Sequence, residues 1–194
     1  GKDEVVEHGV IIVATGGQQY VPTEHMYGRH PGVMTQLEFE DANARGRLPP
    51  FKTVVMIQCV GSRNEKRTYC SRICCTETVK NALRIKKERP DAQVYILYRD
   101  MRTYGFREDR FSEARDLGVN FIRFEDNEEP VVEAIDGKLT VTVRDPVLGR
   151  SIRLRPDIIT LAAATLPAEG AGELARLLKV PINLGVGVLF LAAQ

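Results

Sequence analysis

The sequence has almost no charge imbalance. Lys and Arg together number 27 and Asp and Glu 26, for a formal charge of +1. That balance offers no electrostatic case for binding nucleic acid or a membrane surface. Long apolar runs are also missing: none approaches the roughly 20 residues that a membrane helix needs. The first nine residues, GKDEVVEHG, lack the apolar stretch of a signal peptide. A cytoplasmic setting is therefore the default expectation. There is no internal repeat and no low-complexity linker. Cysteine is scarce, with four in 194 residues, all between Cys59 and Cys75. In a reducing compartment such a cluster more often binds metal or does redox chemistry than forms structural disulfides.

Glycine is missing where one function would need it. A dinucleotide fingerprint reads G-x-G-x-x-G just after a strand. After the apolar run Thr53–Ile57 the chain reads Gln58-Cys59-Val60-Gly61-Ser62-Arg63, with a single glycine. A bulky loop then occupies the space that a pyrophosphate would use. This segment therefore argues against NAD(P)H.

What is present reads as an ordinary α/β protein. The chain is 43% hydrophobic and 27% charged, enough for a normal core in one or two domains. GVIIVATGG (Gly9–Gly17) reads as a buried strand and tight turn. The stretch from Tyr20 to Gln36, with Pro22, Gly28, Pro31 and Gly32, reads as an extended connection. LEFEDANARGRL reads as a short helix. KTVVMIQCV is a strand of parallel-sheet character. A helix is expected from Ser71 to Lys87, then a strand over Val94–Asp100, a helix ending at Gly118, and a strand VNFIRF. An antiparallel meander follows over about 131–154, with a turn signal at Asp136-Gly137. The strand Asp157–Ala164, a helix and a final strand GVGVLFLAAQ complete the order. The fold class expected is a three-layer, Rossmann-like α/β sandwich with a parallel sheet and an antiparallel meander.

The cysteines are spaced C-x10-C-x3-C-C. If the helix starts at Ser71, Cys70 and Cys74 can share a face, and Cys59 returns from the strand end. The helix N-terminus, with Arg63, Lys66, Arg67 and Arg72, would stabilise thiolates. The loop Gly61–Tyr69 has few apolar residues to anchor it. Four readings stand: thiols with no role, an iron–sulfur cluster, a four-cysteine zinc site in a structural or interaction module, and a dithiol oxidoreductase pairing Cys59 with Cys70. Zinc prefers C-x2–4-C pairs, so adjacent Cys74 and Cys75 suit it poorly. A four-iron cluster is broader and tolerates irregular spacing. His8, His25 and His30 read as surface or packing residues.

VVMIQCVGSR, YCSRICC with TVKNA, and YRDMRTYG…EARDLGVNFIR together resemble the A subunit of heterodisulfide reductase, a flavin and iron–sulfur protein of anaerobes. GVIIVATGG resembles the strand and turn that close FAD domains of the two-dinucleotide-domain flavoproteins, and DIITLAAA resembles its counterpart. The resemblance covers nearly the whole chain. It implies a thioredoxin-reductase-like architecture in three parts: residues 1–50 end an FAD domain, 51–160 form an NAD(P)-binding-like lobe with the cysteines, and 161–194 return to the FAD domain. It implies that Cys59, Cys70, Cys74 and Cys75 hold a [4Fe-4S] cluster. It also implies that Thr15, Gly16 and Gly17 flank FAD and that Lys80 lies near the flavin, with Glu38 and Glu40 as further candidates. The implied activity is electron transfer between FAD and iron–sulfur centres. The implied partners are other heterodisulfide reductase-type subunits and an electron-donating hydrogenase or dehydrogenase. The family's FAD domain opens on its own glycine-rich loop, and no such segment precedes Gly9. Ferredoxin-type C-x2-C-x2-C-x3-C motifs are absent, and the link between Asn183 and Gly187 is short. The chain is thus expected to be a fragment that does not hold FAD tightly and is inactive alone.

Overall fold

The structure, a computed structural model, describes residues 4–180 and 191–193. Its strands are β1 (Ile11–Val13), β2 (Gly17–Gln19), β3 (Val33–Thr35), β4 (Thr53–Val60), β5 (Gln93–Tyr98), β6 (Asn120–Arg123), β7 (Val131–Ile135), β8 (Lys138–Asp145), β9 (Arg150–Leu154), β10 (Ile158–Ala163), β11 (Thr165–Pro167) and β12 (Leu191–Ala193). The α-helices are α1 (Gln36–Ala44), α2 (Cys74–Glu88), α3 (Glu108–Asp116) and α4 (Ala171–Leu177).

The central sheet has five strands in the order β3-β10-β4-β5-β6, all parallel. The residues of β10 are all buried, as are most of those of β4. Both therefore read as continuous apolar runs, the mark of strands covered on both faces. On one face, Val54, Met56, Val94 and Ile96 pack with Val79, Ala82, Leu83 and Ile85 of α2 and with Phe39 of α1. On the other, Val55, Ile57, Leu97 and Ile159 pack with Leu139, Val141 and Val143 of β8 and Leu154 of β9. Helices, parallel sheet and meander form three layers, as expected from the residue pattern. The β7–β8 turn uses Asp136 and Gly137, both at positive φ. Glycine's missing Cβ makes that conformation cheap at the second position.

Several local expectations are corrected. The supposed connection from Tyr20 to Gln36 contains β3, which joins the sheet edge through β10. The first strand is not buried: Ile12 is 80% exposed, and only Val13 is buried. Among the described residues its ladder runs to β12 alone. Helix α2 starts at Cys74, not Ser71. Arg72 sits at φ +62°, which no right-handed helix allows, and the Ser71 hydroxyl instead accepts the Thr165 N–H at 2.9 Å. The Asn183–Gly187 link and the start of the expected last strand lie outside the described residues. Among the described residues, no helix is long and apolar enough to cross a membrane.

Candidate functional site

The cysteines lie at the carboxyl ends of the parallel strands, where open α/β sheets bind ligands. Cys59 is in the last turn of β4, at φ +63°. There the pairing of β4 with β10 slips, from Ile57 opposite Leu161 to Val60 opposite Ala163. Gln58 and Cys59 therefore face the single residue Ala162. Such a bulge re-aims a side chain out of the strand's alternation and commonly adjoins a functional site. A non-glycine residue in the left-handed region also stores strain.

The loop that follows is held by polar contacts, in place of the apolar anchors it lacks. Tyr20 packs its ring against Gly61, so closely that a Cβ on Gly61 would sit 2.1 Å from the ring. The Arg67 guanidinium lies 4.4 Å over that ring, and its Nε donates to the Gly61 carbonyl. Asn64 Oδ1 accepts the backbone N–H groups of Lys66 and Arg67. Tyr69 donates its hydroxyl to the Thr165 carbonyl at 3.1 Å. Arg99, with its side chain 5% exposed, donates to the Arg63 carbonyl at 2.7 Å and pairs with Glu129 at 2.6 Å. Arg63 and Arg102 both pair with Asp100.

Cys70 precedes α2, so the shared helix face expected for Cys70 and Cys74 does not exist. The Arg72 turn brings Cys70 back instead, and Cys70 Sγ accepts the Arg72 N–H at 3.3 Å. Cys74 and Cys75 open the helix. Cys74 Sγ lies 3.8 Å from the Ala163 carbonyl, and Cys75 Sγ lies 3.9 Å from that of Asp100. All four are free thiols.

Their acidity corrects the expectation of ready thiolates. Burial pushes the Cys59 thiol up to about 11; Arg63 opposes this and Cys75 reinforces it. Burial and then repulsion from Cys75, Cys59 and Cys70 push Cys74 up to about 12. Cys75 is also raised, chiefly by burial. Desolvation and mutual repulsion thus outweigh the helix N-terminus and the arginines. Among the described residues, no three His, Cys, Asp or Glu side chains stand close enough to share one metal ion.

A cavity of about 300 Å³ adjoins this group. Its wall includes Gly17, Gln36, Glu40, Cys74, Glu77 and Ala163. Of the glycine turn expected beside a flavin, Gly17 lines it; Thr15 and Gly16 are exposed outside it. Lys80 is not in the wall, but its Nζ bridges two carboxylates that are, Glu40 and Glu77. Burial disfavours the Lys80 charge, yet hydrogen bonds to Glu40 and Glu77 win and hold its pKa above the usual lysine value. Glu38 is used elsewhere. It forms a capping box with Thr35 at the start of α1 and accepts the Tyr27 hydroxyl at 2.8 Å. His30 is a packing residue, its Nδ1 accepting the Gly32 N–H and its Nε2 facing the Gly137 carbonyl. His8 is exposed. A larger cavity, about 530 Å³, opens between α2 and the start of α3, and no cysteine lines it.

Sequence reasoning missed a buried polar chain beneath the cysteines. Gln58 and Gln36 both donate to the Thr78 hydroxyl, at 2.6 and 2.8 Å, and Asn81 donates to Gln36 Oε1 at 2.7 Å. Polar residues on the apolar faces of β4 and α2 were its only signal.

No family model matches the chain. It is 41% identical over 187 residues to the A subunit of the H(2):CoB-CoM heterodisulfide,ferredoxin reductase of Methanothermobacter marburgensis, covering 87% of this chain and 28% of that protein. It is 35% identical over 194 residues to the iron-sulfur A subunit of the CoB--CoM heterodisulfide reductase of Methanocaldococcus jannaschii, with 90% and 29% covered. The chain is homologous to a segment of the heterodisulfide reductase A subunits. It spans under a third of the length of these relatives. Among solved structures, the FAD-bound cadaverine monooxygenase DfoA of Erwinia amylovora matches with a TM-score of 0.53 at 10% identity, over 87% of this chain and 47% of that one. The 6-hydroxypseudooxynicotine amine oxidase of Pseudomonas geniculata N1 matches with 0.51 at 17%, over 86% and 23%. At such identities these likenesses establish the Rossmann-like α/β fold alone.

Proposed function

We propose that this chain is the cysteine-bearing part of an oxidoreductase subunit of the heterodisulfide reductase type, which passes electrons between a flavin and a [4Fe-4S] cluster. The observation that carries the reading is one cavity wall shared by Cys74 and Gly17. One residue belongs to the thiol group and the other to the turn that resembles an FAD-domain closure. A carrier on the thiols and a carrier in the cavity would be neighbours.

The donor set fits the cluster. Four free thiols lie at the end of β4, in the loop after it and at the start of α2, and the adjacent Cys74 and Cys75 suit a body broader than a zinc ion better than they suit zinc. Cys59, Cys70, Cys74 and Cys75 would hold it. The cavity would take the edge of a flat heteroaromatic ring, with Leu37, Ile73 and Ala162 as apolar walls and Gln18 and Gln19 as amide partners. Bound there, the cluster supplies one-electron exchange and the flavin one- or two-electron exchange. The chain's own residues prepare the site. Arg63 offsets thiolate charge at Cys59, and Arg102 offsets it at Cys75. Lys80 orients Glu40 and Glu77 on the cavity wall. In this reading residues 51–160 carry the cysteine lobe and 1–50 and 161–194 lead into an adjoining FAD domain, while β3, Phe39 of α1 and the end of β10 pack with the lobe's own sheet. The partners would be other subunits of a heterodisulfide reductase-type complex and an electron-donating hydrogenase or dehydrogenase.

Serine replacements test the ligand set. In full-length protein reconstituted anaerobically, Cys59→Ser, Cys70→Ser, Cys74→Ser and Cys75→Ser are each expected to lose most of the iron assigned to this site by metal analysis. Full iron and unchanged colour in three of the four would reject the assignment.

A further inference from the structure

The bulge at Gln58–Cys59 leaves Cys59 without a regular ladder partner on β10. Something else must set its position relative to α2. Gln58, 2% exposed, sits directly before Cys59 and donates to Thr78 Oγ1 at 2.6 Å. Thr78, fully buried, lies three residues after Cys75 and four after Cys74, one helical turn along the same face. A single side-chain hydrogen bond therefore spans from the residue beside one thiol to the helix turn beneath two others. Two further amides lock it. Gln36 donates to the same hydroxyl, and Asn81 fixes Gln36. Every member is buried, so no water competes for these bonds.

The chain carries a cost that plain core packing would not. Gln58 Oε1 is buried with no partner among the described residues. A leucine would fill that space without stranding an acceptor. Because the amide is kept despite its orphan oxygen, its Nε2–H bond to α2 is the feature that accounts for it.

We infer that the Gln58–Thr78 hydrogen bond, locked by Gln36 and Asn81, is a positioning device that fixes Cys59 against Cys74 and Cys75. This rests on the cluster reading above. Groups that orient metal ligands typically change metal retention by about 10- to 100-fold when removed.

The test uses full-length protein loaded anaerobically with iron and sulfide, with iron release followed by a coloured chelator. Gln58→Leu and Thr78→Val are expected to release iron about tenfold faster than wild type, with unchanged far-ultraviolet dichroism. Thr78→Ser keeps the hydroxyl and is expected to restore slow release. Val94→Ala, a core change on β5 outside the chain of amides, is expected to lower the melting temperature without speeding release. Should Thr78→Val fail to fold, Gln58→Leu decides the matter. Wild-type release rates in folded Gln58→Leu would overturn the inference while leaving the cluster reading intact. Equal acceleration by Val94→Ala would overturn it too, by reducing the effect to general stability. Wild-type protein that takes up no iron at this site would overturn the cluster reading and this inference with it.

Discussion

Gly61→Ala should destabilise the protein by about 3 kcal/mol and release the loop that carries Cys70. Two independent costs add at this position. Gly61 has φ +74°, and an L side chain in that region costs about 1 kcal/mol or more. The new Cβ would also fall 2.1 Å from Tyr20 Cδ1 and 2.4 Å from Cε1, so the ring must leave. Overpacking of this kind costs about 1–3 kcal/mol. Tyr20 is tied down by its backbone N–H to the Ala164 carbonyl at 2.8 Å, and Arg67 rides on its face. Displacing the ring therefore also frees Arg67 and the turn it braces. A urea titration of the metal-free protein reads the loss. A shift under about 0.5 kcal/mol, within the range of an ordinary surface substitution, would show that Tyr20 does not seat the loop.

Raising the pH should unfold the metal-free protein well before its lysines titrate fully. Cys59 and Cys74 are half-buried, and desolvation pushes their folded pKa values up to about 11 and about 12 against an ordinary 9.0. In the unfolded chain they lose their protons near pH 9. Between there and pH 11–12 the unfolded state binds fewer protons than the folded one, so stability falls as pH rises. The contribution is fully present below pH 9. Each unit of difference is worth about 1.4 kcal/mol, so the two thiols together threaten several kcal/mol. They titrate as a coupled group, and the curve will show joint steps. Denaturant midpoints measured from pH 7.5 to 10.5 should decline, and a Cys59→Ala/Cys74→Ala double variant should decline less steeply. Equal slopes for the two proteins would show that the fold does not hold these two thiols neutral.

The parallel sheet was legible because β4 and β5 carry the apolar, β-branched runs that a doubly covered sheet demands. The meander was legible through its alternation and the Asp136-Gly137 turn. Strand β3 was not, since three residues among prolines and glycines carry no period, and their pairing to β10 is a tertiary fact. The start of α2 was misplaced for a similar reason. Ser71 was expected to open the helix, but its hydroxyl is claimed by Thr165, 94 residues away in sequence. The four cysteines announced a site by their crowding alone. Their acidity was misjudged because arginines and a helix N-terminus are visible in a sequence and desolvation is not. The link from Lys80 to Glu40 was equally hidden, because it joins two helices that only the sheet brings together.

The decisive question is what the four thiols hold. Full-length protein should be purified without oxygen, and its metal content and visible spectrum measured before and after dithionite. Brown protein is expected, with iron and acid-labile sulfide assigned to this site and lost in the Cys74→Ser variant. A broad absorption near 400 nm should bleach on reduction, as thiolate-held iron–sulfur clusters do. Colourless protein with one zinc per site, unchanged by dithionite, would contradict the cluster reading.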